Sequence, residues 1–190
     1  MFRRLTVIIL IVFTTGLMIT GCPQSSESDS TLSSSSNGAS SSTGPPPPVG
    51  TEIGNLAPDF QLQDLDGNTV SLSELRGSPV IINFWYTRCG WCVVEMPHLQ
   101  AVYEEHSAKG LVLLAIDWGE PLSVVSQFKQ DNNLTFTMLL DSDKAVSLKY
   151  DVIGYPTTLF IDKDGIIRAK KLGAFLSKEE LEEELEHIMP

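Results

Sequence analysis

Residues 80–92 read Val-Ile-Ile-Asn-Phe-Trp-Tyr-Thr-Arg-Cys-Gly-Trp-Cys, and this stretch decides the fold. Its first six residues, 80–85, are mostly apolar and have the length that is typical of a buried central strand. Its last four residues hold two cysteines, Cys89 and Cys92, at the start of a segment with helical periodicity. The stretch therefore predicts a strand that passes directly into a helix, with a Cys-x-x-Cys motif at the junction.

Strands and helices alternate on both sides of this junction. Apolar runs bounded by turn residues indicate strands, and apolar residues spaced three and four apart indicate helices. The predicted strands are residues 60–62, 69–71, 80–85, 111–116, 136–140, 158–161 and 166–169, and the predicted helices are residues 91–106, 121–128, 145–150 and a closing helix from Ser177. This order predicts an α/β domain with a central mixed β-sheet flanked by helices and an N-terminal β-hairpin extension.

Three helices carry local signals of their own. The first has Val94, His98 and Val102 at helical spacing. Pro121 suits the first turn of the second helix. In the closing helix Ser177 is followed three residues later by Glu180, the pattern of a capping box.

Residues 1–22 predict an export signal. A positive start at Arg3 and Arg4 is followed by an apolar run, residues 5–19, that is shorter than the ~20 residues needed to span a bilayer as a helix. The run ends in Ile-Thr-Gly-Cys, which resembles a bacterial lipobox, and Cys22 is therefore the expected lipidation site. The alternative is an ordinary cleaved signal with an incidental cysteine.

Residues 23–49 have the composition of a tether. They are rich in serine and close with four consecutive prolines, so they hold too few apolar groups to offset the entropy of folding. Residues 50–190 have the length of one ordinary domain. The sequence therefore predicts an extracytoplasmic domain on a disordered tether, lipid-anchored to the cell membrane.

Charge limits the function classes. The chain has 13 basic and 24 acidic residues, a net charge of −11, and no basic patch. Proteins that bind nucleic acids neutralise phosphates with lysine and arginine, so this composition argues against that class.

The Cys-x-x-Cys motif predicts redox chemistry. At a helix N-terminus the unpaired N–H groups and the helix dipole favour an anion, so the pKa of Cys89 should fall and make it the attacking thiolate. Cys92, about one helical turn on, is placed to resolve a mixed disulfide. Arg88 would add positive charge and lower the pKa of Cys89 further, which we state as a hypothesis.

The motif has three alternative interpretations. A zinc site usually needs a second Cys/His pair, and His98, His106 and His187 show no clear ligand spacing. An inert structural disulfide that closes so short a loop would constrain the unfolded chain little. The third alternative, a chance occurrence of two cysteines at this spacing, stays open from the motif alone. Redox chemistry is favoured over all three, and no metal is expected.

Four blocks of sequence between residues 53 and 174 carry a family resemblance. They are Ala-Pro-Asp-Phe at 57–60; Leu-Ser-Glu-Leu-Arg-Gly at 72–77; Asn-Phe-Trp at 83–85 with both cysteines and Glu-Met-Pro at 95–97; and Gly-Tyr-Pro-Thr-Thr at 154–158 with Ile-Asp at 161–162 and Asp-Gly at 164–165. On these blocks the chain resembles the TlpA/ResA-like branch of the thioredoxin superfamily, which includes the reductases of cytochrome c maturation. The resemblance implies a thioredoxin-like fold and thiol–disulfide exchange without a cofactor.

The resemblance also implies roles for individual residues. Pro156 matches the family's cis-proline, whose loop faces the cysteines and pairs with the substrate backbone. Glu95 matches a carboxylate that this branch keeps beneath the active site. The expected catalytic residues are Cys89, Cys92, Glu95 and Pro156, and the expected substrate contacts are Gly90, Trp91 and Tyr155.

The chemistry of the residues also supports a catalytic role for Glu95, independently of the resemblance. It follows Cys92 by three residues, so both side chains fall on one face of the predicted helix. A partly buried carboxyl there would have a raised pKa and would exchange protons with Cys92. Thioredoxin has an aspartate at the strand position that Asn83 occupies here, and asparagine does not titrate. The alternative for Glu95 is a solvated surface side chain.

Two positions depart from the family pattern. The branch commonly has Trp before the first cysteine and Pro before the second, whereas this chain has Arg88 and Trp91. Because the dipeptide between the cysteines tunes the reduction potential, that potential does not transfer from the family. Trp91 and Trp85 are expected to shape a substrate platform, with core packing as the alternative for Trp85.

The leading functional hypothesis is a monomeric reductase of disulfides in exported proteins, with apocytochrome c as a candidate client and a membrane thiol-transfer protein as the electron donor. A peroxiredoxin-like thiol peroxidase is a second hypothesis, although Tyr86 stands where such enzymes usually have Thr or Ser. A third is a non-enzymatic copper-carrying or binding lipoprotein on the same fold, although copper carriers usually space their cysteines C-x-x-x-C.

Overall fold

The computed structural model of the protein describes residues 45–189. The predicted signal, Cys22 and residues 23–44 of the predicted tether lie outside the described residues. Within residues 45–189 no helix combines the length and the apolar character that crossing a bilayer requires. The last part of the predicted tether contacts the domain, because Leu56 N donates a hydrogen bond to the Pro48 carbonyl oxygen at 2.9 Å.

The described residues form seven strands, four α-helices and two short 3₁₀ turns. The strands are β1 (Gln61–Asp64), β2 (Thr69–Ser71), β3 (Val80–Trp85), β4 (Val112–Asp117), β5 (Thr137–Leu140), β6 (Thr157–Ile161) and β7 (Ile167–Leu172). The helices are α1 (Gly90–His106), α2 (Leu122–Asp131), α3 (Ala145–Lys149) and α4 (Lys178–Leu185), with 3₁₀ turns at Leu72–Leu75 and Ser107–Lys109. Every strand and helix predicted from the sequence is present.

One mixed sheet holds all seven strands in the order β2-β1-β5-β4-β3-β6-β7. The central strands β3, β4 and β5 are parallel, and β6 is antiparallel to both β3 and β7. β1 and β2 form an antiparallel hairpin that joins the sheet along β5. These pairings confirm the predicted mixed sheet and the N-terminal hairpin.

Strand β3 is buried along its whole length. Ile81 and Trp85 pack among side chains of α1, α2 and α4, whereas Ile82 and Phe84 pack among side chains of α3 and the N-terminal segment. Burying each such side chain contributes about 1.5–3 kcal/mol. Because both of its faces are packed, the C-terminal end of β3 is held in place. The two cysteines follow this end in the chain.

The buried face of α1 differs from the one that apolar spacing suggests. Val94 is 46% exposed, whereas the polar residues Glu95 and Gln100 are buried. Gln100 is satisfied there because its Oε1 accepts a hydrogen bond from Thr135 N at 2.8 Å. The helix was predicted correctly, but partners supplied by distant segments decide which of its faces is turned inward.

The capping box at α4 is half formed. Ser177 Oγ accepts a hydrogen bond from Glu180 N at 3.3 Å, as predicted. Glu180 does not return the bond, because its Oε2 accepts from Leu176 N at 3.3 Å and from Lys171 Nζ at 3.0 Å. The ion pair with Lys171 therefore replaces the second half of the box.

Candidate active site

The two cysteines lie where β3 gives way to α1. Cys89 is the N-cap residue of α1, and its Sγ accepts a hydrogen bond from Cys92 N at 3.1 Å. The two sulfurs are joined in a disulfide. The helix N-terminus favours negative charge, so reduction would leave Cys89 where a thiolate is stabilised. The predicted position of Cys89 at the start of the helix is confirmed.

The two cysteines differ in their access to solvent. Cys89 is 7% exposed, whereas Cys92 is 0% exposed. A sulfur atom of a partner protein would therefore meet Cys89 first. This difference favours Cys89 as the nucleophile and Cys92 as the resolving cysteine, the roles that the sequence predicts.

Glu95 lies on the buried face of α1, one turn beyond Cys92, with no exposed surface. Its Oε1 accepts a hydrogen bond from Asn83 Nδ2 at 2.7 Å, and its Oε2 accepts one from Phe175 N at 3.1 Å. The alternative of a solvated surface glutamate is therefore wrong. The carboxyl is held between β3, α1 and the segment that follows β7.

Burial raises the pKa of Glu95 to about 7 and outweighs the hydrogen bonds from Phe175 and Asn83 and the positive charge of Lys171, which lower it. A carboxyl with this pKa changes its charge near neutral pH, which suits proton exchange with a neighbouring thiol. Asn83 Nδ2 also donates to Thr158 Oγ1 at 2.9 Å. Among the described residues Asn83 Oδ1 has no hydrogen-bond partner, so a half-turn of this amide would offer a protonated Glu95 an acceptor.

The loop before β6 faces the segment that leads into Cys89. Its Tyr155–Pro156 peptide bond is cis, as the resemblance implies. The Tyr155 ring lies 5.4 Å, between ring centroids, from both the Tyr86 ring and the Trp118 ring. Because Tyr86 comes three residues before Cys89, these aromatic contacts hold the proline loop near the cysteines.

The dipeptide between the cysteines faces solvent. Trp91 is 63% exposed, and a side chain at Gly90 would meet no atom within 4 Å. A docking partner would therefore meet the Trp91 indole directly. Trp85 is 0% exposed and packs on Phe128 with ring centroids 4.8 Å apart, so its predicted part in the platform is wrong and core packing is its role.

Glu120 is a residue of this site that the sequence analysis missed. It follows β4, and its carboxylate accepts hydrogen bonds from Thr87 N at 2.6 Å and from Thr87 Oγ1 at 2.8 Å. A signal was available, because parallel strands end at the same edge of a sheet and the residues after β3 and β4 must meet there.

Arg88 also lies against the Glu120 carboxylate. Its side chain is 85% exposed, and its Nε lies 3.7 Å from Glu120 Oε1. The carboxylate offsets part of the guanidinium charge, so we expect Arg88 to lower the pKa of Cys89 less than an unpaired arginine would.

A cleft of about 450 Å³ opens beside Arg88, the residue that precedes Cys89. Its lining is aromatic and charged and comprises Tyr86, Arg88, Trp118, Gly119, Glu120 and Lys144. The Lys144 ammonium lies 3.9 Å from the centroid of the Trp118 ring, a cation–π contact that fixes both side chains.

Among residues 45–189, one group of side chains has the chemistry of a metal site. Ligand atoms of Glu105, His106 and Glu182 lie within 4.8 Å of one another. Lys178 Nζ lies 2.8 Å from Glu182 Oε1 and also pairs with Glu105. The lysine already supplies positive charge to these carboxylates, so the group is an ion-pair network.

Known proteins are similar to this chain in sequence. The sequence profile of the AhpC/TSA family matches residues 53–170. The thiol-disulfide oxidoreductase ResA of Geobacillus kaustophilus is 39% identical over 138 residues, which are 73% of this chain and 79% of that protein.

Solved structures agree with the sequence matches. The thioredoxin domain of a thiol-disulfide oxidoreductase from Bacteroides vulgatus has a TM-score of 0.62 and 26% identity, covering 70% of this chain and 96% of that one. StoA from Bacillus subtilis has a TM-score of 0.59 and 27% identity, covering 67% of this chain and 96% of that one. The chain therefore belongs to the AhpC/TSA family and is a thiol–disulfide oxidoreductase with a thioredoxin-like fold.

Proposed function

We propose that this protein is a membrane-tethered, extracytoplasmic reductase of disulfides in exported proteins, with apocytochrome c as a candidate client. The observation that carries the exchange chemistry is the unequal exposure of the paired cysteines, 7% for Cys89 and 0% for Cys92. The export signal and the lipobox cysteine, Cys22, support the location.

The reaction begins with the reduced protein. The Cys89 thiolate attacks one sulfur of a client disulfide, the client S–S bond breaks, and a mixed disulfide between Cys89 and the client forms. The other client sulfur leaves as a thiolate and takes a proton from solvent. At this stage the client is held covalently by one sulfur.

Resolution uses the buried pair of Cys92 and Glu95. Cys92 gives its proton to the Glu95 carboxylate and attacks the Cys89 sulfur, so the mixed disulfide breaks and the Cys89–Cys92 disulfide forms. The second client sulfur leaves and takes the proton from Glu95. Two electrons have then passed to the client, and Glu95 is ionised again.

Docking of the client involves the exposed surface around Cys89. Trp91 offers an apolar face, and the Tyr155–Pro156 loop offers backbone groups near the cysteines. Contacts of this kind position a polypeptide without selecting one sequence, which suits a reductase of exported proteins.

The oxidised protein must be reduced again before the next cycle. A membrane thiol-transfer protein is the donor that we propose, and a lipid at Cys22 would keep the domain within its reach. Residues 23–44 would span at most roughly 80 Å when fully extended.

Trapping of the mixed disulfide tests the proposed chemistry. The Cys92→Ser variant should accumulate a covalent complex with a disulfide-bearing client that dithiothreitol releases, whereas Cys89→Ser should form none. Insulin reduction followed by turbidity should be lost in the double serine variant. Insulin reduction by that double variant at the parent rate would contradict the proposal.

The reduction potential tests the direction. A value of about −270 mV, as for thioredoxin, is expected for a reductase, whereas a value of about −120 mV would indicate an oxidant. Consumption of hydrogen peroxide much faster than disulfide exchange would instead favour a thiol peroxidase. Stoichiometric copper in the purified protein would favour a metal carrier.

Labelling with a fatty-acid analogue tests the anchor. The parent protein should incorporate label and partition with membranes, and Cys22→Ser should do neither. Label retained in the serine variant would contradict lipidation at this residue.

A further inference from the structure

Two carboxyl groups outside this mechanism lie at the end of β4. Asp117 is the last residue of β4 and is fully buried, and the Glu120 side chain is 11% exposed. Asp117 Oδ2 accepts a hydrogen bond from Glu120 N at 2.6 Å, which locks both residues in one tight turn.

Glu120 connects this turn to the segment that carries the nucleophile. Its two oxygens accept from Thr87 N at 2.6 Å and Thr87 Oγ1 at 2.8 Å. Hydrogen bonds to a carboxylate are about twice as strong as those between neutral groups. One carboxylate thus fixes both the backbone and the side chain of the residue two positions before Cys89.

Asp117 is the more deeply buried carboxyl of the pair. Its Oδ1 is buried and has no hydrogen-bond partner among the described residues. Burial raises the pKa of Asp117 to about 7, and the negative charge of Glu120 raises it as well, whereas N–H groups of Gly119 and Glu120 lower it. Adjacent carboxyls resist double ionisation, so burial and the charge of Glu120 both favour a proton on Asp117. The Glu120 oxygens then accept the two hydrogen bonds from Thr87.

We propose that Glu120 is a positioning residue for disulfide exchange: its carboxylate, paired with the Asp117 carboxyl, holds residues 86–88 so that Cys89 stays at the N-terminus of α1 in the geometry of attack. The inference rests on the proposed function for the reaction that it serves. Its test uses a small disulfide and needs no client protein.

Other charged or titratable groups on the neighbouring elements face the carboxyl pair. They are Tyr86, Arg88, Asp141, Lys144 and Tyr155. Because these groups are the same in all variants below, comparison of two substitutions at position 120 isolates the role of the hydrogen bonds that this side chain makes with Thr87.

The decisive comparison is between Glu120→Ala and Glu120→Gln in the purified full chain. Both lose the negative charge, but glutamine keeps an acceptor for Thr87 N and an amide that Thr87 Oγ1 can accept from. The reaction of reduced protein with dithiodipyridine, followed by release of the coloured thione from pH 4 to 10, gives the rate and the pKa of Cys89. Glu183→Ala, an exposed position on α4, is the matched control.

We expect Glu120→Ala to react roughly tenfold more slowly than Glu120→Gln at an equal thiolate fraction, because a displaced nucleophile loses its attack geometry. The pKa of Cys89 should also be higher in the alanine variant, since the thiolate would move away from the helix N-terminus. Equal rates and equal pH profiles for the two variants would overturn the proposal.

A second comparison tests the part played by Asp117. In the Glu95→Gln background, so that Glu95 does not titrate, the rate at an equal Cys89 thiolate fraction should still change near neutral pH, and Asp117→Asn should remove that change. An unchanged profile in the asparagine variant would contradict the part given to the Asp117 carboxyl. If Glu120→Ala does not fold, Thr87→Val carries the test: it loses the hydroxyl bond alone and should react about threefold more slowly, and a parent rate would overturn the proposal.

The two proposals fail separately. Loss of the dithiodipyridine reaction in Cys89→Ser together with no reduction of insulin by the parent would contradict the reductase function alone. Equal behaviour of the two position-120 variants would contradict the positioning role alone.

Discussion

The buried carboxyl of Glu95 makes the stability of the oxidised protein depend on pH, and Glu95→Gln should remove that part of the dependence. The pKa of Glu95 is higher in the folded chain than in the unfolded chain, so the folded state binds the proton more tightly. The free energy of unfolding is therefore greatest below the pKa that Glu95 has in the unfolded chain. It falls as the pH rises through the pKa that Glu95 has in the folded chain. The structure places this loss between pH 4.5 and about 7.

The magnitude follows from the same two values. A rise from 4.5 to about 7 corresponds to roughly 3 kcal/mol at about 1.4 kcal/mol for each pH unit. Glutamine fits the site, because its Oε1 would accept from Phe175 N while its Nε2 donates to Asn83 Oδ1 after a half-turn of that amide. When the pH is raised from 4 to 8, we therefore expect the parent to lose roughly 3 kcal/mol more free energy of unfolding than Glu95→Gln loses.

Urea unfolding of the oxidised protein at pH 4 and pH 8, followed by far-UV circular dichroism, measures this difference. The parent should lose more free energy of unfolding than the variant between the two pH values. Part of the loss will persist in the variant, because the pKa of Asp117 is also raised to about 7, mainly by burial.

Glu183→Gln is the control, since this exposed glutamate is on α4 and its replacement should change stability by less than about 0.5 kcal/mol at either pH. If Glu95→Gln and the parent lose the same free energy between pH 4 and 8, Glu95 does not titrate in this range. The proton transfer from Cys92 to Glu95 would then have no basis.

Three further predictions concern the residues around the cysteines. Phe175→Ala should lower the free energy of unfolding by about 3–5 kcal/mol in a denaturant titration, because the ring is buried against Phe160; a loss below 1 kcal/mol would contradict this packing. Trp91→Ala should change stability by less than about 0.5 kcal/mol but raise KM for insulin at nearly constant kcat, and an unchanged KM would exclude a docking role. Asn83→Ala removes a donor from the charged form of Glu95 and should raise its pKa further, as seen by carbon NMR titration; a fall would show that another group replaces the amide.

The fold was predictable because its signals are local. The apolar run at 80–85 and the helical pattern after Cys92 lie next to each other in the chain, so their junction needs no long-range information. The roles of Cys89 and Cys92 follow from that junction. Burial of Glu95 was also within reach, since its distance from Cys92 puts both on one helix face.

The rest of the site depends on contacts between distant segments. Phe175 N reaches Glu95 across 80 positions in the sequence, and Glu120 reaches Thr87 across 33. Neither contact is indicated by a periodic pattern in the sequence, and each depends on where a loop leaves the sheet. Trp85 shows the same limit. A tryptophan close in sequence to a reactive cysteine could form part of a substrate platform, and only the packing of α2 against it shows that it belongs to the core.

The unequal exposure of the two cysteines would also protect the protein from irreversible damage. A hydroperoxide that reaches Cys89 would convert its thiolate to a sulfenic acid, the first step towards sulfinic and sulfonic acids. The sheltered thiol of Cys92 lies against that sulfur and would displace water from it, which restores the disulfide. Oxidative stress would thus return the protein to a state from which its electron donor can rescue it.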